Sequence, residues 1–264
     1  MCQRPNGYVF YRGKSMLRPE HDIVCIVTGT RRASRNPKTG PMLQTWVLLA
    51  DEPPTVGAHR GTDSAVCGNC PLRGRIIKSG RRTRNAHRRC YVTLGRAPTM
   101  VWSAFQAGAY PEYEPDAHQQ YLLGKPNRLG AYGDPAALPL WCIDKLHLIA
   151  GGQTTGYTHQ WRVPRVADYR EYLMASVETA ADAALADQLG WRYFRVMPST
   201  GILNPGEILC PASAEAGMRT TCSRCQLCAG CSKRARNVAI YAHGSRNMKA
   251  QINQYLYFIQ GAQA

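Results

Sequence analysis

The sequence predicts an α/β chain: a (β/α) barrel or partial barrel with cysteine-rich metal-binding loops hung on it. Three observations carry that expectation. The chain has 264 residues and is 44% hydrophobic, enough for a sizeable buried core. From residue 128 onward, short β-branched runs alternate with stretches of helical periodicity, the rhythm of βα units around a parallel sheet. The 11 cysteines are bunched, mostly in loops between those runs.

Taken in order, residues 1–65 form an N-terminal β-rich segment expected to pack on the barrel that residues 66–264 build. Its apolar runs "DIVCIVTGT" and "TWVLLAD" read as neighbouring strands, separated by the turn-rich basic stretch "RRASRNPKTGP". Next, "CGNCPLRGRIIKSGRRTRNAHRRCYV" places eight Lys or Arg and no acid between Cys70 and Cys90, which reads as an exposed basic loop. Trp102 and Phe105 sit at helical spacing and read as core. "RLGAYGD" reads as a strand and "ALPLWCIDKLHLIA" as an amphipathic helix, with Leu138, Trp141, Leu146 and Ile149 near one face. Strands follow in "TTGYTHQW" and "YLMASVE". The Ala-rich helix "TAADAALADQLG" stops at Gly190. "WRYFRVMP", "EILCPA" and "NVAIYAHG" complete the strands, and "NMKAQINQYLYFIQ" closes the chain as a helix.

Charge and chemistry narrow the function classes. Thirty-three Lys and Arg against 17 Asp and Glu leave a net +16, a balance that favours contact with a polyanion, nucleic acid or nucleotide. The basic stretch before Cys90 reads as a phosphate-gripping arm held at both ends by metal-bound cysteines. With no apolar run of membrane-spanning length and no secretory h-region, a cytoplasmic location is expected, that of a bacterial host if the chain is phage-encoded. In such a reducing compartment, bunched cysteines point to metal or iron–sulfur ligation rather than disulfides. The chain lacks a P-loop, a G-x-G-x-x-G, an H-E-x-x-H and a nucleophile elbow.

The cysteines fall into two groups. Cys222, Cys225, Cys228 and Cys231 repeat on a three-residue pitch, and Cys210, followed by Pro211, stands before them. Consecutive C-x2-C pairs with a distant Cys-Pro follow the ferredoxin pattern for a [4Fe–4S] cube. Of these five thiols, Cys210, Cys222, Cys225 and Cys228 are expected to bind, with Cys231 spare; zinc is the alternative metal. The second group, Cys67, Cys70 and Cys90, supplies three thiols, as a cluster with one open iron requires. His87 as a fourth ligand would turn it into structural zinc.

Barrel enzymes work at the C-terminal ends of their strands. Asp134, His159, Glu178 and His243 end four of the runs and are the candidate working residues; Tyr157 and Trp161 add aromatic faces beside His159 that could stack on a base.

The motifs "CGNCPLR", "CYV", "RLGAYGDPAALP", "TTGYTHQW", "YLMASVET", "FRVMP", "ILCPAS", "TTCSRCQLC" and "AIYAHG" occur in the order found in a phage-encoded, cysteine-rich family of uncharacterised gene products. The resemblance covers roughly residues 64 to 245. That family is in turn remotely similar to radical S-adenosylmethionine (SAM) enzymes, in which three cysteines ending in a "CY" step bind a [4Fe–4S] cluster at the mouth of a partial barrel. The usual C-x3-C-x2-C is replaced here by C-x2-C-x19-C. The resemblance implies a radical-SAM-like iron–sulfur enzyme acting on a nucleotide or nucleic acid. SAM is then a possible cofactor, with Asp134 at its amino group and Tyr157 and His243 as further cofactor contacts. Two alternatives stand beside it: a zinc-stapled nucleic-acid-binding protein without catalysis, and a transglycosylase-like, base-modifying barrel with Asp134 or Glu178 as nucleophile.

Overall fold

The computed structural model describes residues 4–79 and 82–261. Strands β1 (Gly7–Lys14), β2 (Asp22–Thr28) and β3 (Leu43–Leu49) run antiparallel in sequence, β2 and β3 pairing from Ile23–Leu49 to Thr28–Gln44. β3 is buried along its whole length, as expected of a continuous apolar run covered on both faces. It also pairs parallel with β6 (Asn127–Tyr132), which pairs parallel with β7 (Thr154–Thr155). The sheet order is β1-β2-β3-β6-β7, so residues 1–65 supply strands to the sheet that β6 and β7 complete.

A second five-stranded sheet has the order β11-β12-β10-β9-β8 and is parallel throughout. Its strands are β8 (Tyr157–Thr158), β9 (Met174–Val177), β10 (Tyr193–Met197), β11 (Glu207–Leu209) and β12 (Asn237–Tyr241). The expected single strand "TTGYTHQW" is thus divided at Gly156 between the sheets. Gly156 N donates to Cys228 O (3.1 Å) and its carbonyl accepts from Met174 N (3.0 Å). A side chain at Gly156 would meet Leu173 Cδ2 at 2.6 Å, which is why the strand crosses there on glycine. The architecture is mixed α/β with parallel sheets. No closed barrel forms among the described residues: the two sheets stay separate in their hydrogen bonding.

The segment between Cys70 and Cys90, expected as a loop, contains an antiparallel ribbon of β4 (Arg75–Ser79) and β5 (Arg82–Ala86). Asn85 Nδ2 ties its base to Ala58 O (2.7 Å) and Arg73 O (3.1 Å).

Helices α1 (Pro54–Arg60) and α2 (Ser64–Cys67) follow β3, and α3 (Ala97–Gln106) buries Phe105 while Trp102 Nε1 donates to Leu49 O (3.0 Å). The one-turn helix α4 (Pro115–His118) precedes β6. Helix α5 (Leu140–Ile149) buries Cys142, Ile143, Leu146 and Ile149; Trp141 points outward instead, and Leu138 lies before the helix. Helix α6 (Ala180–Gln188) is capped by Thr179, whose hydroxyl accepts from Asp182 N (3.0 Å), and Gly190 follows its end at φ 75°. After the single turn α7 (Cys222–Cys225), α8 (Arg246–Gly261) buries Ile252 and Leu256 against Phe194 and Val238.

Candidate functional site

Successive side chains of a strand point to opposite faces. On the parallel strands one such set faces a common space: Gln44 and Trp46 from β3, Arg128, Gly130 and Tyr132 from β6, and Thr155, Tyr157 and His159 from the divided strand. Ser176, Phe194, Val196 and Val238 continue it. They enclose a cavity of about 680 Å³. Cys67, Cys70, Cys90, Cys210, Cys222, Cys225 and Cys228 all line it; Cys231 does not, its thiol donating instead to Gly190 O at 3.3 Å.

The three-thiol group is held from below by the strand ends. Cys67 closes α2, whose Val66 carbonyl accepts from Asp134 N (2.6 Å) and whose Ala65 carbonyl accepts from Ser15 Oγ (2.6 Å). Gln160 clamps the turn between the first two thiols: Nε2 donates to Cys67 O (3.2 Å) and Oε1 accepts from Asn69 N (3.1 Å). Gly68 there has φ 54°, and a side chain on it would lie 2.5 Å from the Gln160 amide, so both conformation and space demand glycine.

Asp134 follows β6 and is buried, and its carboxylate takes four donors. It accepts from Ala136 N (3.0 Å), Thr158 Oγ1 (3.1 Å), His159 N (2.9 Å) and Gln160 Nε2 (3.2 Å). These bonds lock the 158–160 segment that grips the cysteine turn, and the residue also lines the cavity where a ligand's ammonium or a sugar carbon is expected to meet it.

His159 Nε2 and Glu178 Oε1 are 2.8 Å apart, joining the ends of β8 and β9. Burial alone would depress the imidazole; the Cys70 sulfur, bonded to it, and Glu178 outweigh burial and hold its pKa well above the usual value. Tyr157 lines the cavity, gives its hydroxyl to the Cys228 sulfur and packs on Phe194 (4.6 Å between rings). Trp161 is buried in the core with Nε1 on Ser176 O (3.0 Å), and His87 is exposed, off the cavity. His243 does line the cavity, stacked flat on Tyr91 at 4.4 Å, and burial pushes it down to about 4, with Lys38 adding to the effect.

The four-thiol group hangs between β11 and the β2–β3 connection. Cys210 N donates to Ala239 O (2.8 Å), and the N–H groups of Ala212 and Ser213 turn back onto its sulfur. Cys222 N and Ser223 N donate to Lys38 O and Thr39 O, each at 3.0 Å. Burial pushes all the shifted thiols up, Cys228 to about 12, and their neighbours' sulfurs push further. Cys67 and Cys90 are likewise raised, by burial first. Among the described residues no three His, Cys, Asp or Glu side chains are grouped to hold a metal ion.

Against known proteins, the chain matches no family model, no curated protein and no solved structure.

Several residues of the site were not singled out by their sequence. Arg88 Nη2, Tyr91 Oη and Tyr132 Oη are buried with no hydrogen-bond partner among the described residues. Arg88 and Tyr132 are electrostatic neighbours of Cys67 and Cys90, and Tyr91 of Cys90 and Cys70. Arg88 Nη1 is 3.3 Å from the wholly buried Asp63 carboxylate, which also pairs with Arg73. Tyr91 carried a signal in the "CY" step; Gln160, Lys38 and Arg128 carried none.

Proposed function

We propose that the chain is an iron–sulfur enzyme of radical-SAM-like build that acts on a nucleotide or nucleic acid. The carrying observation is that a group of three thiols and a group of four face one cavity, the first beside the C-terminal ends of β6, β8 and β9. In this reading the two sheets are a single curved partial barrel bent at Gly156. Cys67, Cys70 and Cys90 would hold a [4Fe–4S] cluster with one iron open, and Cys210, Cys222, Cys225 and Cys228 a fully ligated one.

The donor set fits such a core. Partnerless donors on Arg88, Tyr91 and Tyr132 surround the three-thiol group, and a sulfide-rich anionic core supplies the acceptors they lack. The thiols would bind such a core as thiolates, giving up their protons to the solvent as the irons are ligated. Bound there, the clusters supply one-electron chemistry.

The chain's own residues do the rest. Asp134, through Thr158 and Gln160, fixes the Cys67–Cys70 turn. His159 and Glu178 hold a proton against Cys70. The basic ribbon β4–β5, rooted between Cys70 and Cys90, engages phosphate.

SAM consumption by anaerobically reconstituted, reduced protein tests the reading. It is expected in the wild type and in Cys231→Ser, and absent in Cys70→Ser. Equal consumption in all three, or none in the wild type, contradicts it.

A further inference from the structure

The cavity wall is electrically lopsided. Lys38, Arg96 and Arg128 line it, and the only lining carboxylate among the described residues is Asp134, whose oxygens are already taken by four donors. Lys38 and Arg128 both line the cavity and both act on the Cys222 thiol and on His243. Glu215, the carboxylate that also acts on His243, is exposed and outside the wall. Three buried polar atoms on the same cavity lack partners among the described residues: Tyr91 Oη, Tyr132 Oη, on a residue only 3% exposed, and Gln226 Oε1, whose own Nε2 is spent on Cys222 O and Ser223 O. Gln226 holds a left-handed backbone (φ 52°) where it caps the C-terminus of α7.

Clustered cations facing a chamber call for an oxyanion, and a buried orphan acceptor calls for an N–H or O–H. We propose that Lys38 and Arg128 bind the oxyanion, phosphate or carboxylate, of a ligand held in the cavity, and that Gln226 Oε1 accepts from the same ligand's N–H or O–H group. A nucleotide carries both features, and about 680 Å³ lies within the range of small-molecule sites. The inference rests on the cavity being the substrate chamber, as proposed above, and not on which metal the thiols hold.

Calorimetric titration of the full chain with AMP, inorganic phosphate and succinate tests it, with iron and zinc content measured on every sample. AMP and phosphate report a phosphate site, succinate a carboxylate site. Expected is binding of one probe class that weakens about tenfold or more in Lys38→Gln and in Arg128→Gln, at unchanged metal content. The charge-keeping exchanges Lys38→Arg and Arg128→Lys should stay within about threefold of wild type, which separates lost charge from lost folding. Binding without iron in the wild type would sink the iron–sulfur reading and leave the anion site standing. No binding of any probe, unchanged binding in the Gln variants, or loss of metal along with affinity would overturn the inference; the last would assign both cations to the thiolates.

Discussion

Asp134 illustrates what a strand-end carboxylate does when its neighbours are counted. Its position after β6 was legible from "AYGDP", but the donors that fill it come from Thr158, His159 and Gln160, on a segment that only the parallel pairing brings near. Asp134→Asn turns an acceptor-only group into one that presents an NH2 to those donors. Unfolding in urea should show a loss of about 2–3 kcal/mol. Stability within about 0.5 kcal/mol of wild type would mean the carboxylate is not the lock described. His243 supplies a second expectation. Its folded pKa of about 4 lies below the usual 6.5 because of burial first and Lys38 second, so the neutral ring is the folded form. The unfolded chain takes up the proton first: the stability is fully present above pH 6.5 and is lost as pH falls towards 4, by about 3 kcal/mol. His243→Asn should lose correspondingly less between those two pH values; an equal loss in both proteins would contradict the assignment.

Helices and strands with an apolar rhythm were legible as elements. The stop at Gly190 and the run of strands from β6 to β12, with β7 and β8 read as one, follow directly from local pattern. The ribbon β4–β5 was not, because "RIIKS" and "RTRNA" have no apolar alternation to signal a ladder, and its anchor is a side-chain amide, Asn85, reaching α1 and Arg73. Trp141 was misplaced for a related reason: Cys142 and Ile143 take the buried side of α5, and the indole is left facing solvent. Because the ribbon leans mainly on α1 and adds little to either core, replacing residues 76–85 by a short Gly-Ser turn should leave the melting temperature within a few degrees. The same change removes Lys78, Arg81, Arg82 and Arg84, so affinity for single-stranded nucleic acid should fall and its salt slope flatten by up to about 3. Unchanged affinity and slope would exclude the ribbon from phosphate contact.

The molecule as a whole turns on the crossing at Gly156, where one extended stretch leaves the first sheet and enters the second. That crossing lets alternate residues of β3, β6, β8, β9, β10 and β12 face one chamber, and it seats Cys228 against the backbone of Gly156 itself. Each cysteine group was visible in the sequence through its own spacing. Their meeting on one cavity was not, since it depends on the order of strands and on the backbone bonds by which Cys222 and Ser223 dock onto Lys38 and Thr39. Among the described residues no helix is long and apolar enough to cross a membrane. The central claim, that seven of the thiols surround inorganic clusters, is tested most directly by iron, acid-labile sulfide and zinc analysis of anaerobically purified protein. The account predicts close to eight irons and eight sulfides per chain for two [4Fe–4S] cores, about four of each in a variant with Cys67, Cys70 and Cys90 all changed to Ser, and no change in Cys231→Ser. Stoichiometric zinc with no iron or sulfide would contradict it.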